Sequence, residues 1–135
     1  MTVLTDVLGI ELPIIQAPMA GAQGSALAIA VSNAGGLGSL PTAVLPLEAL
    51  RAELTASRAG TSKPYNVNFF CHAEPTPSPA REAAWRMALA PYYQELGIDA
   101  GPPQGGPGRL SFGEAAIDIL AEFRPAVVSF HFGLP

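Results

Sequence analysis

The chain has 135 residues, of which 49% are apolar and only 13% charged, and its net charge is −4. Disorder needs the opposite balance, so one domain with a buried core is expected. The seven Lys and Arg residues are scattered, which does not suit the neutralising of a phosphate backbone and argues against nucleic-acid binding.

A single cysteine, Cys71, excludes a disulfide framework and fits a reducing, cytoplasmic setting. Residues 1–12 have no basic segment, long apolar run or cleavage signal, so no signal peptide is expected. The longest apolar stretches are far shorter than the ~20 residues of a membrane-spanning helix, so no membrane association is expected.

The first predicted element is Pro13–Pro18, a short buried strand closed by proline, followed by a loop over Met19–Gly24. Ser25–Ala34 is Ala-rich and reads as a helix ended by Gly35 and Gly36, the usual C-terminal signal. Leu37–Leu40 is a second strand, stopped by Pro41. Pro46 opens a helix in which Leu47, Leu50 and Leu54 recur at helical spacing, and Gly60 closes it. Tyr65–Phe70 is a third strand, with Tyr65, Val67 and Phe69 on one face and Asn66 and Asn68 on the other.

Ser78 and Pro79 start a long helix reaching about Leu96, with a kink expected at Pro91. The Gly- and Pro-rich stretch 101–108 reads as an irregular surface loop or a linker. The loop is preferred, because strand–helix alternation resumes directly after it. Ser111 and Glu114 are spaced as a capping box for a helix over Ala115–Phe123. Pro125 ends that helix, and Ala126–Phe132 is a fourth strand.

Strands joined by helical crossovers imply parallel pairing with helices outside the sheet. Ligands of such folds bind at the C-terminal ends of the strands. Residues Ala17, Pro18 and Met19 fall at that rim, with Gly21 allowing close approach. The competing explanation, an ordinary proline turn with Met19 filling the core, is favoured on composition. The glycines at 35, 36 and 38 lie between a helix and a strand, the reverse of a phosphate loop, so capping and tight packing explain them better.

Asn66 and Asn68 are costly to bury without partners. A polar cofactor at Asn68, or hydrogen bonds among the asparagines and neighbouring backbone, account for them equally well. Cys71 and His72 lack further ligands nearby, so no metal site is read. In the fourth strand Ser129 and His131 share one face, and Val128, Phe130 and Phe132 the other. His131 stands where barrels do their chemistry, although a hydrogen-bonded core histidine is the commoner case. No nucleophile–base pair or carboxylate pair can be assembled, so the residues alone reach an α/β unit with a polar rim and no reaction.

Four segments in this order resemble the nitronate monooxygenase (2-nitropropane dioxygenase) family: Pro-Ile-Ile-Gln-Ala-Pro-Met-Ala-Gly at 13–21, Ala-Val-Ser-Asn-Ala-Gly-Gly-Leu-Gly-Ser-Leu at 30–40, Tyr-Asn-Val-Asn-Phe-Phe at 65–70, and Val-Ser-Phe-His-Phe-Gly-Leu-Pro at 128–135. Each motif is weak, and the ordered set is specific. The resemblance implies the N-terminal part, about four βα units, of an FMN-binding (β/α)8 TIM barrel, of which residues 1–135 lack the C-terminal half. Eight strands and about 250 residues are usual for such a barrel.

The implied reaction oxidises alkyl nitronates, such as propionate 3-nitronate, with molecular oxygen to a carbonyl compound and nitrite. By this resemblance Ala17, Pro18 and Met19 lie against the flavin, Asn68 hydrogen-bonds it, and His131 orients the nitronate on the substrate side. The family's catalytic-base histidine and its phosphate-binding loops lie beyond these segments. A homo-oligomer is compatible with the family. Flavin-dependent enoyl-acyl-carrier-protein reductases share a similar opening, and the Ser-Phe-His-Phe-Gly segment speaks against them. A third reading is a non-catalytic fragment that associates through open strand edges.

Overall fold

The computed structural model describes residues 3–74, 76–99, 101 and 108–135. Most of the expected irregular loop at 101–108, residues 102–107, lies outside the described residues. Among the described residues eight elements follow one another: α1 (Val3–Leu8), α2 (Ser25–Asn33), β1 (Gly38–Pro41), α3 (Leu47–Gly60), β2 (Tyr65–Phe70), α4 (Pro79–Glu95), α5 (Glu114–Phe123) and β3 (Val127–His131). Residues 1–73 with 108–135 form one compact unit, and residues 74–107 a second.

The three strands form a parallel sheet in the order β1-β2-β3. Parallel neighbours need crossovers, and helices supply them here. An isolated parallel bridge, Ile15 with Leu37, adds the 13–18 segment on the far side of β1. Spatial order therefore equals chain order. A sheet wound in one direction places all its crossover helices on one face, as in a barrel, whereas a doubly wound sheet reverses its order at a switch point.

One core fills the helix side of this sheet. Leu40 of β1 and Tyr65, Val67 and Phe69 of β2 pack with Leu50 and Leu54 of α3 and with Ala116, Ile119 and Phe123 of α5. Alternation in β2 sends the odd-numbered side chains there. Phe112 and Phe130 close one end of the core, stacking edge-on with each other at 5.2 Å between ring centres.

The junction from α2 into β1 follows from its glycines. The N–H of Gly36 donates to Val31 O at 3.1 Å and that of Gly35 to Ser32 O at 3.0 Å. This is the paired bonding of a Schellman ending, and Gly35 takes the required left-handed turn at φ +94. At Gly38 a Cβ would stand 1.9 Å from Ala28 O. Only glycine lets α2 lie so close to β1, which meets the packing expected of these residues.

Several expectations need correction. The strand expected over Pro13–Pro18 is reduced to one bridge and is not buried: Ile14 and Ile15 are 56% and 49% exposed. The Ser111–Glu114 capping box is absent. The residue before α5 is Gly113, with no side-chain cap, and Ser111 Oγ instead donates to the carbonyls of Phe70 (3.4 Å) and His72 (2.9 Å). Phe132 does not share the face of Val128 and Phe130. It turns left-handed at φ +68 and sets its ring edge-on to Phe70, 4.9 Å between centres. The helix α1 was not anticipated, because six residues carry too little periodicity to read.

In the second unit, Ser78 caps α4 as expected, its Oγ accepting from Arg81 N. The helix continues through Pro91 and has no buried residue.

Candidate functional site

The C-terminal end of the sheet begins with the rim segment after Ile15. Leu37 N–H donates to Ile14 O and Gln16 N–H to Leu37 O, both at 2.9 Å. The next rung of a parallel ladder would need Pro18 to donate to Ser39 O, and proline has no N–H. Side chains complete the rung instead. Gln16 Oε1 accepts from Ser39 N at 2.9 Å, and Gln23 Nε2 donates to Ser39 O at 3.0 Å. Gln23 Nε2 also reaches Ala17 O at 3.3 Å, joined there by Gln16 Nε2. The Ala17 carbonyl is thus held by two glutamine side chains and the Met19 carbonyl by Ala22 N at 3.1 Å, with Ala17 exposed and Met19 half exposed.

The face of the sheet opposite the helices carries Ser39, Asn66, Asn68, Ser129 and His131, which the strand register brings side by side. Asn66 is 4% and Asn68 2% exposed. They do not bond to each other. Asn66 Nδ2 donates to Ser39 Oγ at 3.1 Å, and Asn68 Nδ2 to Ser129 Oγ at 2.8 Å. Asn68 Oδ1 lies 3.1 Å from His131 Nδ1. An amide oxygen only accepts, so in this arrangement Nδ1 carries the proton. His131 Nε2 is left to accept a hydrogen bond when the ring is neutral, or to donate one when it is protonated. The backbone O of Asn68 is fixed by Thr42, through both N (3.0 Å) and Oγ1 (2.8 Å).

Aromatic rings border the histidine. Phe70 lies edge-on to both His131 and His72, with ring centres 5.9 and 6.1 Å apart, and the 70% exposed Phe132 touches all three. A bulky residue held at positive φ is strained, and such strain gathers where a side chain has a task.

Of the expected residues, the structure brings Asn68 and His131 into direct contact and puts Ala17, Pro18 and Met19 at the same end of the sheet. Sequence reading missed Gln16, Gln23 and Ser129 as partners. For Gln16 and Gln23 the available signal was Pro18, whose missing donor leaves a carbonyl to be satisfied.

A bound polar group fits this end. Buried polar atoms normally have partners, yet Gln23 Oε1 and His72 Nδ1 here, and Asn66 Oδ1 nearer the start of β2, are buried with none. Space is also open beside Gly21, where a Cβ would meet nothing within 4 Å. Among the described residues no cluster of His, Cys, Asp or Glu could hold a metal ion.

A groove of about 280 Å³ at the opposite, N-terminal end of β2 and β3 is lined by Arg58, Lys63 and Arg124. These cations are already engaged. Arg58 donates to the carbonyls of Glu122 (3.0 Å) and Phe123 (3.1 Å), Lys63 pairs with Glu11 at 2.7 Å, and Arg124 bonds Ala121 O at 3.2 Å. They finish α5 and tie the chain together, as cations at a helix C-terminus do. Burial pushes the nearby Tyr65 phenol up, against a smaller opposing influence of Arg58.

Comparison with known proteins places this geometry. The family description "Nitronate monooxygenase" matches residues 1–135. A nitronate monooxygenase of Pseudomonas aeruginosa is 50% identical over 133 residues, covering 97% of this chain and 38% of its own length. The solved nitroalkane oxidase of Streptomyces ansochromogenes is 36% identical with a TM-score of 0.73, over 99% of this chain and 37% of that one. A FabK mutant from Thermotoga maritima is 31% identical with a TM-score of 0.52, over 96% of this chain and 39% of that one. The chain therefore spans between a third and two-fifths of the length of these relatives, and its fold is the N-terminal part of an α/β barrel.

Proposed function

The chain belongs to the nitronate monooxygenase family, and from that premise we propose that it forms the cofactor- and substrate-facing part of an FMN-dependent enzyme that oxidises alkyl nitronates with molecular oxygen to a carbonyl compound and nitrite. The single observation that carries this reading is the contact between Asn68 and His131, 3.1 Å apart on the polar face at the C-terminal end of adjacent strands. Chemistry in barrels is done at that end.

When bound, the flavin supplies the acceptance of electrons and the reaction with oxygen. The residues of this chain bind and orient. Ala17, Pro18 and Met19 offer a fixed Ala17 carbonyl and a soft, polarisable Met19 side chain for a flat ring. Asn68 keeps one Nδ2 hydrogen beyond its bond to Ser129 and can give it to the cofactor. His131 has its ring orientation set by Asn68 and presents Nε2 to the nitronate. As imidazolium it donates a charge-assisted hydrogen bond to a nitronate oxygen. Phe70 and Phe132 shield that bond from water on one side. Propionate 3-nitronate is the substrate we expect, with small alkyl nitronates as alternatives.

The test is nitrite release and oxygen uptake from propionate 3-nitronate by the protein supplied with FMN. FMN-dependent nitrite release that falls when His131 is replaced by Asn supports the reading. Nitronate turnover that is indifferent to His131 would remove it from the site.

A further inference from the structure

We infer that Gln23 is a cofactor-binding residue of this chain, whose side-chain oxygen accepts the imide N–H of a flavin while its side-chain nitrogen holds the rim segment that the flavin lies against. The inference rests on the flavin reading given above and extends it to a residue outside the four motifs.

The orientation of the Gln23 amide is settled by its neighbours. Its Nε2 faces two carbonyl oxygens, Ser39 O at 3.0 Å and Ala17 O at 3.3 Å. Turning the amide over would set oxygen against both carbonyls, so Nε2 uses its two hydrogens there and Oε1 points away. That oxygen is buried and has no donor. An acceptor taken out of water and left unpaired is unfavourable, and a bound group that brings a donor removes the penalty.

The demand is selective. The oxidised isoalloxazine ring has one N–H, at N3, flanked by two carbonyls, and its other edge heteroatoms accept. Of the polar edge atoms only N3 satisfies Oε1. The position agrees with this, because the same amide fixes Ala17 O, within the segment expected to meet the ring. Gln23 thus ties two demands together. The donor that Pro18 cannot supply to Ser39 is replaced, and the replacement leaves an acceptor at the rim. A water molecule or a ribityl hydroxyl of the flavin is the competing donor, and neither distinguishes FMN from its N3-methylated form.

The test is a pair of titrations with FMN and with 3-methyl-FMN, in which the N3 hydrogen is replaced by a methyl group, read by quenching of flavin fluorescence. The unaltered protein is expected to bind FMN about tenfold more tightly, the worth of one buried hydrogen bond. In Gln23→Leu the ratio is expected to collapse to about one, while in Gln23→Glu, which keeps an acceptor and loses the donor, both flavins weaken and FMN stays preferred. A ratio near one in the unaltered protein, or a preference that survives in Gln23→Leu, overturns the acceptor role and leaves the flavin reading standing. Binding of neither flavin overturns this assignment for the chain. The comparison in the unaltered protein needs no variant to fold.

Discussion

On the helix side of β2, Tyr65, Val67 and Phe69 are buried among Leu40, Leu50, Leu54 and Ile119. On the other side Asn66 and Asn68 are as deeply buried, yet every contact given for their side chains is polar and one of their oxygens has no partner. The same strand serves both faces, and alternation separates the two tasks. The helix side is finished: apolar surface is removed from water and little is left over. The polar side is held together but incomplete, with three buried polar atoms, Gln23 Oε1, Asn66 Oδ1 and His72 Nδ1, lacking partners. A face built for stability leaves no such remainder, whereas a face built to bind does.

The comparison breaks most visibly if the helix side tolerates change. Gly38→Ala puts a methyl carbon 1.9 Å from the Ala28 carbonyl, so α2 must move. A loss of about 3 kcal/mol or more is expected in urea unfolding. Leu54 is fully buried in the core, and Leu54→Ala is expected to lose about 3 kcal/mol by the same measurement.

The polar side should respond in function more than in stability. Asn68→Leu removes the link between Ser129 and His131. About 1 kcal/mol of stability and most of the FMN affinity are expected to go, read by unfolding and by flavin titration. His131 is exposed, so His131→Asn should change stability by less than about 0.5 kcal/mol while lowering nitrite release about 100-fold.

The smallest effect concerns the surface pair far from both. Lys63, by hydrogen bond and by charge, holds the Glu11 carboxyl below its ordinary value of 4.5. A lowered folded value means that the pair's contribution is complete above 4.5 and is lost as the pH falls through the folded value. Following the Glu11 carboxyl by NMR, Lys63→Met should return its titration to the ordinary range, with little change in stability because the pair is exposed.

Much of the helix-side architecture was legible in the sequence. Leu50 and Leu54 at helical spacing, the alternation of Tyr65–Phe70 and the glycines after α2 each state a local preference that the packing keeps. The failures occurred where a long-range partner overrode a local rule. Ser111 had the spacing of a cap, but carbonyls at Phe70 and His72 claimed its hydroxyl. Phe132 continued the alternation of β3 on paper, yet its backbone turns left-handed beyond the strand. The Pro13–Pro18 segment had a strand's composition, and Pro18 removed the donor that would have extended it.

The site was legible in part. His131 and Asn68 were marked by their place at the ends of strands, but their contact depends on register, which spacing does not state. For Gln23 the only signal was indirect: Pro18 marks a carbonyl that lacks a backbone donor, but nothing local says which side chain supplies it.

The most direct test of the polar face as the cofactor face is an NMR titration of the isotopically labelled protein with FMN. The account predicts that the side-chain amides of Asn68 and Gln23 and the imidazole of His131 shift together, while Leu54 and Phe123 on the helix side stay still. Shifts confined to the groove at Arg58, Lys63 and Arg124, or none at saturating FMN, would contradict it.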